Sequence, residues 1–382
     1  MGIQGLLPFL KSIQRPSHIK EWAGQTLAID TYSWLHKAAY GCAQELCLGL
    51  RTTRHIDYVM ARVDLLRHHG VIPYVVFDGD ALPGKRGTEE LREKRRQQHL
   101  SIAKNLLAKG KKEEAREEFV KAADITPQLA HDVILSLQKA GVKYVVAPYE
   151  ADAQLRFLEL NGDVAGIITE DSDLLVFGTK NCIFKLDAFG HCIHICRDDF
   201  GKVADAQMSL WTDTEFRQMA ILSGCDYLPS IPGLGLKKAY QLIRTYKSAE
   251  RAIKATRLEG NMKVPLKYEA LFRRAELTFL YQIVYNPTTR KLVHLHPPPS
   301  PPPTSEDLVD CGEMWEDDLA VAVAEGRINP LTKTVFKPSI NVLPSAPATC
   351  FQLPRTSQKS RALPKSTSVP SNQRTLNSFS FS

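Results

Sequence analysis

The 382-residue chain is 43% hydrophobic, enough for a proper core in one large domain or two small ones. No apolar run approaches the length of a membrane span, and eight cysteines scattered over so long a chain read as reduced intracellular thiols, which excludes a disulfide scaffold. The net charge of +7 is localised: Lys85 to Lys112 holds ten Lys or Arg against three Glu, and the remainder is neutral overall. A confined basic block favours a polyanionic partner over a generally charged surface.

The opening MGIQGLLPFL has no basic leader, so no secretory signal is expected, and Leu6 breaks the myristoylation pattern. TLAID reads as a short buried strand ending in Asp30. Ser33 to Leu46 and Ile56 to His69 carry helical patterns, with Trp34 in the core, and PYVVFD is a second strand ending in Asp78. From about Leu82 to Thr126 apolar density falls and charge dominates. That composition predicts a helical insertion standing off the sheet, broken at Lys109-Gly-Lys-Lys112. Within it Lys85, Arg92 and Arg96 fall at i, i+7 and i+11, on one helix face.

Residues 128–200 return to alternating helix and strand. YVVAPYEAD delivers Glu150 and Asp152, and GIITEDSD delivers Asp171 and Asp173. After the turn-like Asp187-Ala-Phe-Gly190, the residues Cys192, His194 and Cys196 alternate along a strand. Only three ligands share a face and no second cluster has ligand-like spacing, so no structural zinc is expected. Residues 213–256 read as helix, loop, helix. ILSGCD brings in Asp226, and the loop Pro229-Ser-Ile-Pro-Gly-Leu-Gly-Leu236 is dense in turn residues. Pro297–Pro303 reads as a stiff surface crossing before one more helix at Trp315 to Ala324. The Ser, Pro, Thr and Lys-rich stretch from about Lys337 is expected to be disordered.

These elements predict an α/β fold with a central, mostly parallel sheet. Such sheets bind ligands outside the carboxyl ends of their strands, where six of the seven acids would converge, with Asp226 joining from a later segment. So many carboxylates need counter-cations to stay ionised together. Hard oxygen ligands without organised His or Cys point to Mg²⁺ or Mn²⁺. A pair of such ions about 3.5–4 Å apart is a device for cutting phosphodiesters. Arginine and lysine above the metals would steady the phosphate. Ile231-Pro-Gly-Leu-Gly-Leu-Lys-Lys-Ala239 fits the hairpin of a helix-hairpin-helix. There the backbone at Gly233 and Gly235, with Lys237 and Lys238, would cradle a phosphate without reading sequence. Tyr32 and His36, at i and i+4, either offer an aromatic face to a base or, for Tyr32, pack against the sheet.

Taken together, MGIQGLLPFL, VAPYEADAQL, IITEDSDLLVFG and ILSGCDYLPSIPGLGLKKA resemble the flap endonuclease/XPG family of structure-specific 5′ nucleases. The resemblance runs from the first residue to about Phe336. Asp30, Asp78, Glu150, Asp152, Asp171, Asp173 and Asp226 match the family's metal-binding acids one for one. It implies a PIN-like nuclease core over 1–336, with an N-terminal region at 1–99 and an internal region at 138–232. It also implies a helical arch at about 82–130, a helix-hairpin-helix at about 215–256, and a tail at 337–382. Two Mg²⁺, replaceable by Mn²⁺, would serve catalysis, with Lys85 and Arg92 on the phosphate and Gly2, Arg95 and Arg96 toward DNA. Ser223, Ser230 and the Leu234 carbonyl fall where the family binds K⁺.

The wording PYEADAQL, LREKRRQQHL and NPTTRKLVHL points to the family's exonuclease branch. That implies a nuclear, monomeric 5′→3′ double-stranded DNA exonuclease with 5′ flap activity in mismatch repair and end resection. Its substrates would be duplexes with 5′ ends, nicks, gaps or flaps, and its partners mismatch-repair proteins. A flap endonuclease or Holliday-junction resolvase of the same family is the near alternative. A non-catalytic DNA-end-binding scaffold is the distant one, disfavoured because pure binding gains nothing from acids beside phosphates. Gln373, Leu376 and Phe379 have the Q-x-x-L-x-x-F spacing of a sliding-clamp box, although position 380 is Ser where a second aromatic is usual.

Overall fold

Short runs of Val, Ile and Leu, apolar on both faces, are what a parallel sheet covered on both sides requires. The structure, a computed structural model, describes residues 2–338 apart from 205 and 207. The Gln373, Leu376 and Phe379 box and the expected disordered tail lie outside the described residues. Among the described residues seven strands form one sheet. They are β1 (Arg15–His18), β2 (Thr26–Asp30), β3 (Ile72–Phe77), β4 (Lys143–Val146), β5 (Gly166–Ile168), β6 (Asn181–Phe184) and β7 (His191–Cys196). Their order is β1-β7-β6-β5-β2-β3-β4. The five from β6 to β4 run parallel, and β7 and β1 close one edge antiparallel. A separate hairpin joins β8 (Ile283–Asn286) to β9 (Lys291–His294).

Side chains alternate between two apolar layers, as strand geometry demands. Ala28, Tyr74, Val76 and Ile167 face one core, beside the helices Ala151–Leu160, Asp213–Leu222 and Tyr268–Tyr281. Leu27, Ile29, Val75 and Phe77 face the other, beside Thr31–Cys47, Arg54–His68 and Pro127–Lys139. The result is helix, sheet, helix.

The charged insertion is two antiparallel-packed helices, Arg86–Ala108 and Lys112–Ala122. They share a small core of their own, Ala103, Ala115 and Phe119 against Ala43. So few buried apolar groups anchor this insertion only lightly. No described helix is long and apolar enough to cross a membrane.

The chain runs β2, β3, β4 outward on one side of β2, then returns to place β5 on the other side. Such a reversal opens a crevice at the carboxyl ends of β2 and β5.

Candidate active site

All but one of the acids sit where a strand ends and a helix begins. Asp30 is the last residue of β2 and caps the Thr31–Cys47 helix, accepting the Ser33 N–H at 3.3 Å. Asp78 follows β3 and accepts the Ala151 N–H at 2.7 Å, at the start of the next helix. Glu150 is the N-cap of that helix, Ala151–Leu160, with Asp152 in its first turn. Asp173 opens the short helix Asp173–Val176 after β5. Helix N-termini carry positive partial charge, so this layout offsets some of the repulsion among the carboxylates. Asp226 enters from the turn after Asp213–Leu222.

Two glycines permit the close approach. A Cβ on Gly79 would lie 2.0 Å from the Ala147 carbonyl oxygen, so only glycine lets the exits of β3 and β4 meet. Gly2 has φ +84°, and a Cβ there would lie 2.2 Å from Asp171 Oδ1 and 2.9 Å from Asp173 Oδ1. The neighbouring Ile3 N–H donates to Asp173 Oδ1 at 3.1 Å. The N-terminal segment is therefore seated in the acid cluster.

The electrostatics follow from crowding. Burial, then Asp30 and Glu150, pushes Asp78 up to about 7. Burial, then Asp171, Asp30 and Glu150, raises Asp152 well above the ordinary carboxylate range. Asp173 is raised in the same way by burial and by Asp171, and Asp171 by burial and by Asp30. Asp226 goes the other way. Burial pushes it up, but Lys85 and Arg92 outweigh burial and bring it below its usual value.

Lys85 is the cation at the centre. Its ammonium pairs with Glu150 and, at 3.2 Å, with Asp226, and lies 5.0 Å over the Tyr227 ring. Arg92 reaches Asp226 at 3.1 Å. The three basic residues read as one helix face divide here. Lys85 lies in the turn before the helix, as its N-cap. Arg96, a further helical turn along from Arg92, pairs instead with Glu89 at 2.7 Å, Glu93 at 2.8 Å and Asp124 at 3.6 Å. Arg95 and His36 are exposed, Tyr32 is half-buried against the sheet and Trp34 is buried.

Among the described residues no three acidic, His or Cys side chains close around one point as they stand. The oxygens are held by internal donors. Asp30 Oδ2 accepts from Ser33 and, at 2.9 Å, from Thr169. Glu150 accepts from Lys85, Tyr227 and Gln282. The set nonetheless fits divalent cations. Every donor is a hard oxygen, burial and mutual repulsion raise Asp152 and Asp173 above the ordinary carboxylate range, and a lysine ammonium already stands as counter-charge to Glu150 and Asp226. Sequence reading missed Ser33, Thr169, Tyr227, Gln282 and Gly79. Only Tyr227, next to Asp226, left a trace.

One consequence is measurable. Groups raised above their unfolded values contribute stability that is fully present below the unfolded value and is lost as pH climbs from there through the raised value. With chelator present, the thermal midpoint should fall as pH rises from about 5 to 7.5, up to and through the value of about 7 at Asp78. Asp78→Asn should flatten that slope, and divalent cations should oppose it. A flat profile in the wild-type protein would contradict the crowding.

Farther along, the helices Asp213–Leu222 and Leu236–Tyr246 flank the loop with Gly233 and Gly235. Lys237 and Lys238 are exposed, and Lys238 donates to the Gly233 carbonyl at 2.9 Å. Ser223 Oγ donates to the Ala220 carbonyl at 2.7 Å, and a Cβ on Gly224 would lie 3.1 Å from the Ser230 nitrogen. Gly224, next to Ser223, thus lies against Ser230, and Leu234 is buried.

The family model for the XPG N-terminal domain matches residues 1–99, and that for the XPG I-region matches 141–226. The chain is 44% identical over 336 residues to exodeoxyribonuclease 1 of Schizosaccharomyces pombe, covering 88% of this chain and 58% of the relative. It is 47% identical over 337 residues to exonuclease 1 of Arabidopsis thaliana, covering 88% of this chain and 45% of the relative. The chain thus spans about half the length of these relatives. It is 37% identical to DNA damage-inducible protein DIN7 of Saccharomyces cerevisiae, covering 78% of this chain and 69% of that protein. The catalytic core of Rad2, solved in complex with DNA substrate, shares the fold with a TM-score of 0.50 at 20% identity, over 72% of this chain and 79% of that one. Nucleases carrying these domains depend on divalent metal ions. With both XPG segments matched and a relative covered over more than two thirds of its length, the chain belongs to the flap endonuclease/XPG family of nucleases, among its exonuclease 1 homologues.

Proposed function

We propose that the chain hydrolyses duplex DNA from 5′ ends, as a 5′→3′ exonuclease that also cuts 5′ flaps, with Mg²⁺ as its working ion and Mn²⁺ as a substitute. The observation that carries this reading is a cluster of six carboxylates at one sheet edge, joined by Asp226 from a later turn, with a lysine and an arginine paired to Glu150 and Asp226. Two bound ions would supply a water nucleophile at neutral pH and a counter-charge for the leaving oxygen. Asp30, Asp78, Glu150, Asp152, Asp171, Asp173 and Asp226 would hold them. Lys85 and Arg92 can turn from Glu150 and Asp226 to the phosphate, adding charge in the transition state. Exposed Lys94, Arg95, Lys104, Lys109, Lys111 and Lys112 would attract the backbone of the strand. Gly2, Tyr32, His36 and Arg96 would meet the DNA as it approaches, Arg96 by leaving its acidic partners. Similarity to exonucleases and to a relative named for its induction by DNA damage supports a task in DNA repair, and mismatch repair and end resection in the nucleus are the setting this reading expects.

Digestion of a 5′-recessed and a 5′-flapped duplex, each labelled at either end, tests the reading. Mg²⁺-dependent shortening from the 5′ end supports it, and loss from 3′ ends alone would overturn it. At the hairpin, Ser223, Ser230 and the Leu234 carbonyl would hold K⁺ against the uncut strand. K⁺ should therefore strengthen duplex binding over a large organic cation at equal ionic strength, and Ser230→Ala should shrink the difference. Binding blind to cation identity would remove that site. The Gln373, Leu376 and Phe379 box supports a sliding-clamp contact by spacing alone. A labelled 369–382 peptide that ignores purified clamp would end that part.

A further inference from the structure

The two oxygens of Glu150 face different company. Oε1 pairs with the Lys85 ammonium. Oε2 accepts the Tyr227 hydroxyl and, at 3.0 Å, the Gln282 amide nitrogen. Gln282 is fully buried, and its own Oε1 is buried with no hydrogen-bond partner among the described residues. Turning the amide over would set that oxygen against a carboxylate, so Glu150 dictates which way the amide points. A buried amide kept with its acceptor unmet calls for a reason beyond packing.

The surroundings fix Gln282 relative to Glu150. Gln282 ends the Tyr268–Tyr281 helix and leads into β8. Two residues from the start of β8, the Tyr285 N–H donates to Gln154 Oε1 at 2.7 Å, and the Gln154 amide donates to the Tyr285 carbonyl at 2.8 Å. Gln154 is itself fully buried and stands on the helix that Glu150 caps. The Leu295 N–H donates to the Gln282 carbonyl at 2.9 Å, tying the far strand of the hairpin to the same point. The hairpin and the catalytic helix are thus clasped, and the Gln282 amide is delivered to Glu150 on a rigid mount.

We propose that Gln282, assisted by Tyr227, is a positioning residue for Glu150, pinning one carboxylate oxygen so that the other is held toward the cation site. Both residues lie beyond the matched XPG segments, which end at 226. The inference rests on the metal-dependent reading above. Gln282 touches neither substrate nor reacting atoms. It removes the rotational freedom of a ligand, as outer partners of metal ligands do.

Gln282→Met keeps the shape and removes the donor, and Tyr227→Phe removes the other donor with less disturbance. The measurement is Mn²⁺ affinity of divalent-free protein by electron paramagnetic resonance, alongside the Mg²⁺ midpoint for cleavage. Loss of an outer partner typically weakens metal affinity about 10–100-fold, so Gln282→Met should weaken Mn²⁺ binding by about tenfold or more. The KM for DNA should stay unchanged, and turnover should recover at high Mn²⁺. Tyr227→Phe should show a smaller loss. The double variant should lose less than the product of the two, because both donors share one oxygen. Wild-type protein that binds Mn²⁺ with both variants binding equally well would overturn the positioning role. Wild-type protein that binds no Mn²⁺ would overturn the metal reading itself. If Gln282→Met fails to fold by circular dichroism, Tyr227→Phe decides alone, and unchanged Mn²⁺ affinity in it refutes the proposal.

Discussion

Asp152→Asn will abolish phosphodiester cleavage and, in chelator, raise the thermal midpoint of the protein. The two effects share one cause. Asp152 is half-buried near Asp171, Asp30 and Glu150, and desolvation together with these neighbours raises it well above the ordinary range. Without a divalent ion its charge is a liability to the fold, and an amide of the same shape relieves it. With the ion, the same charge is what holds the metal. Losing several kcal/mol of metal-borne charge stabilisation corresponds to a rate loss on the order of 10³ or more. Duplex affinity should persist, since it comes from the basic surface and from the hairpin. Scanning calorimetry in chelator at pH 8 and single-turnover cleavage in Mg²⁺ measure the two halves. Turnover within tenfold of wild type would remove Asp152 from the metal set. A midpoint lowered by the substitution would mean that the carboxylate is stabilised by the protein itself, without a divalent ion.

The acids could be read in the sequence because strand, carboxylate and helix follow one another within a few residues. Local pattern alone placed Asp30, Asp78 and Asp171 at strand ends, and parallel topology then brought them together. What holds them was not legible. Gln282 meets Glu150 across 132 positions, and no periodicity links the two. Thr169 meets Asp30 across 139. Such partners are chosen by tertiary packing, which spacing cannot report. The charged insertion was legible in composition but only half legible in detail. A shared helix face grouped Lys85, Arg92 and Arg96, whereas the structure turns Arg96 to Glu89, Glu93 and Asp124. Helical phase fixes direction around an axis but not how far along it the acid cluster extends.

Lys85→Ala carries the opposite signature to Asp152→Asn on stability and the same one on rate. In divalent-free protein the Lys85 ammonium is the counter-charge of Glu150 and Asp226, and those acids hold it well above the ordinary lysine value although burial works against its charge. Removing one partner of a fully buried pair costs about 3–5 kcal/mol. Here the Asp226 side chain is 33% exposed and partly screened by solvent, so a loss of about 2 kcal/mol is expected. At about 2–4 °C per kcal/mol, the midpoint in chelator should fall by about 4–8 °C. Divalent cations should recover most of that loss, because they supply the missing charge directly. With metal and DNA present, Lys85 is free to meet the phosphate, and removing one preorganised donor costs on the order of 10²–10³ in turnover. KM for DNA should move little, since the interaction belongs to the transition state. Adding Glu150→Gln to Lys85→Ala should restore the midpoint in chelator, as the stranded charge is gone, yet leave turnover low. A Lys85→Ala midpoint equal to wild type in chelator would show that the lysine is no counter-ion. A loss of DNA affinity matching the loss of turnover would make it a binding residue instead.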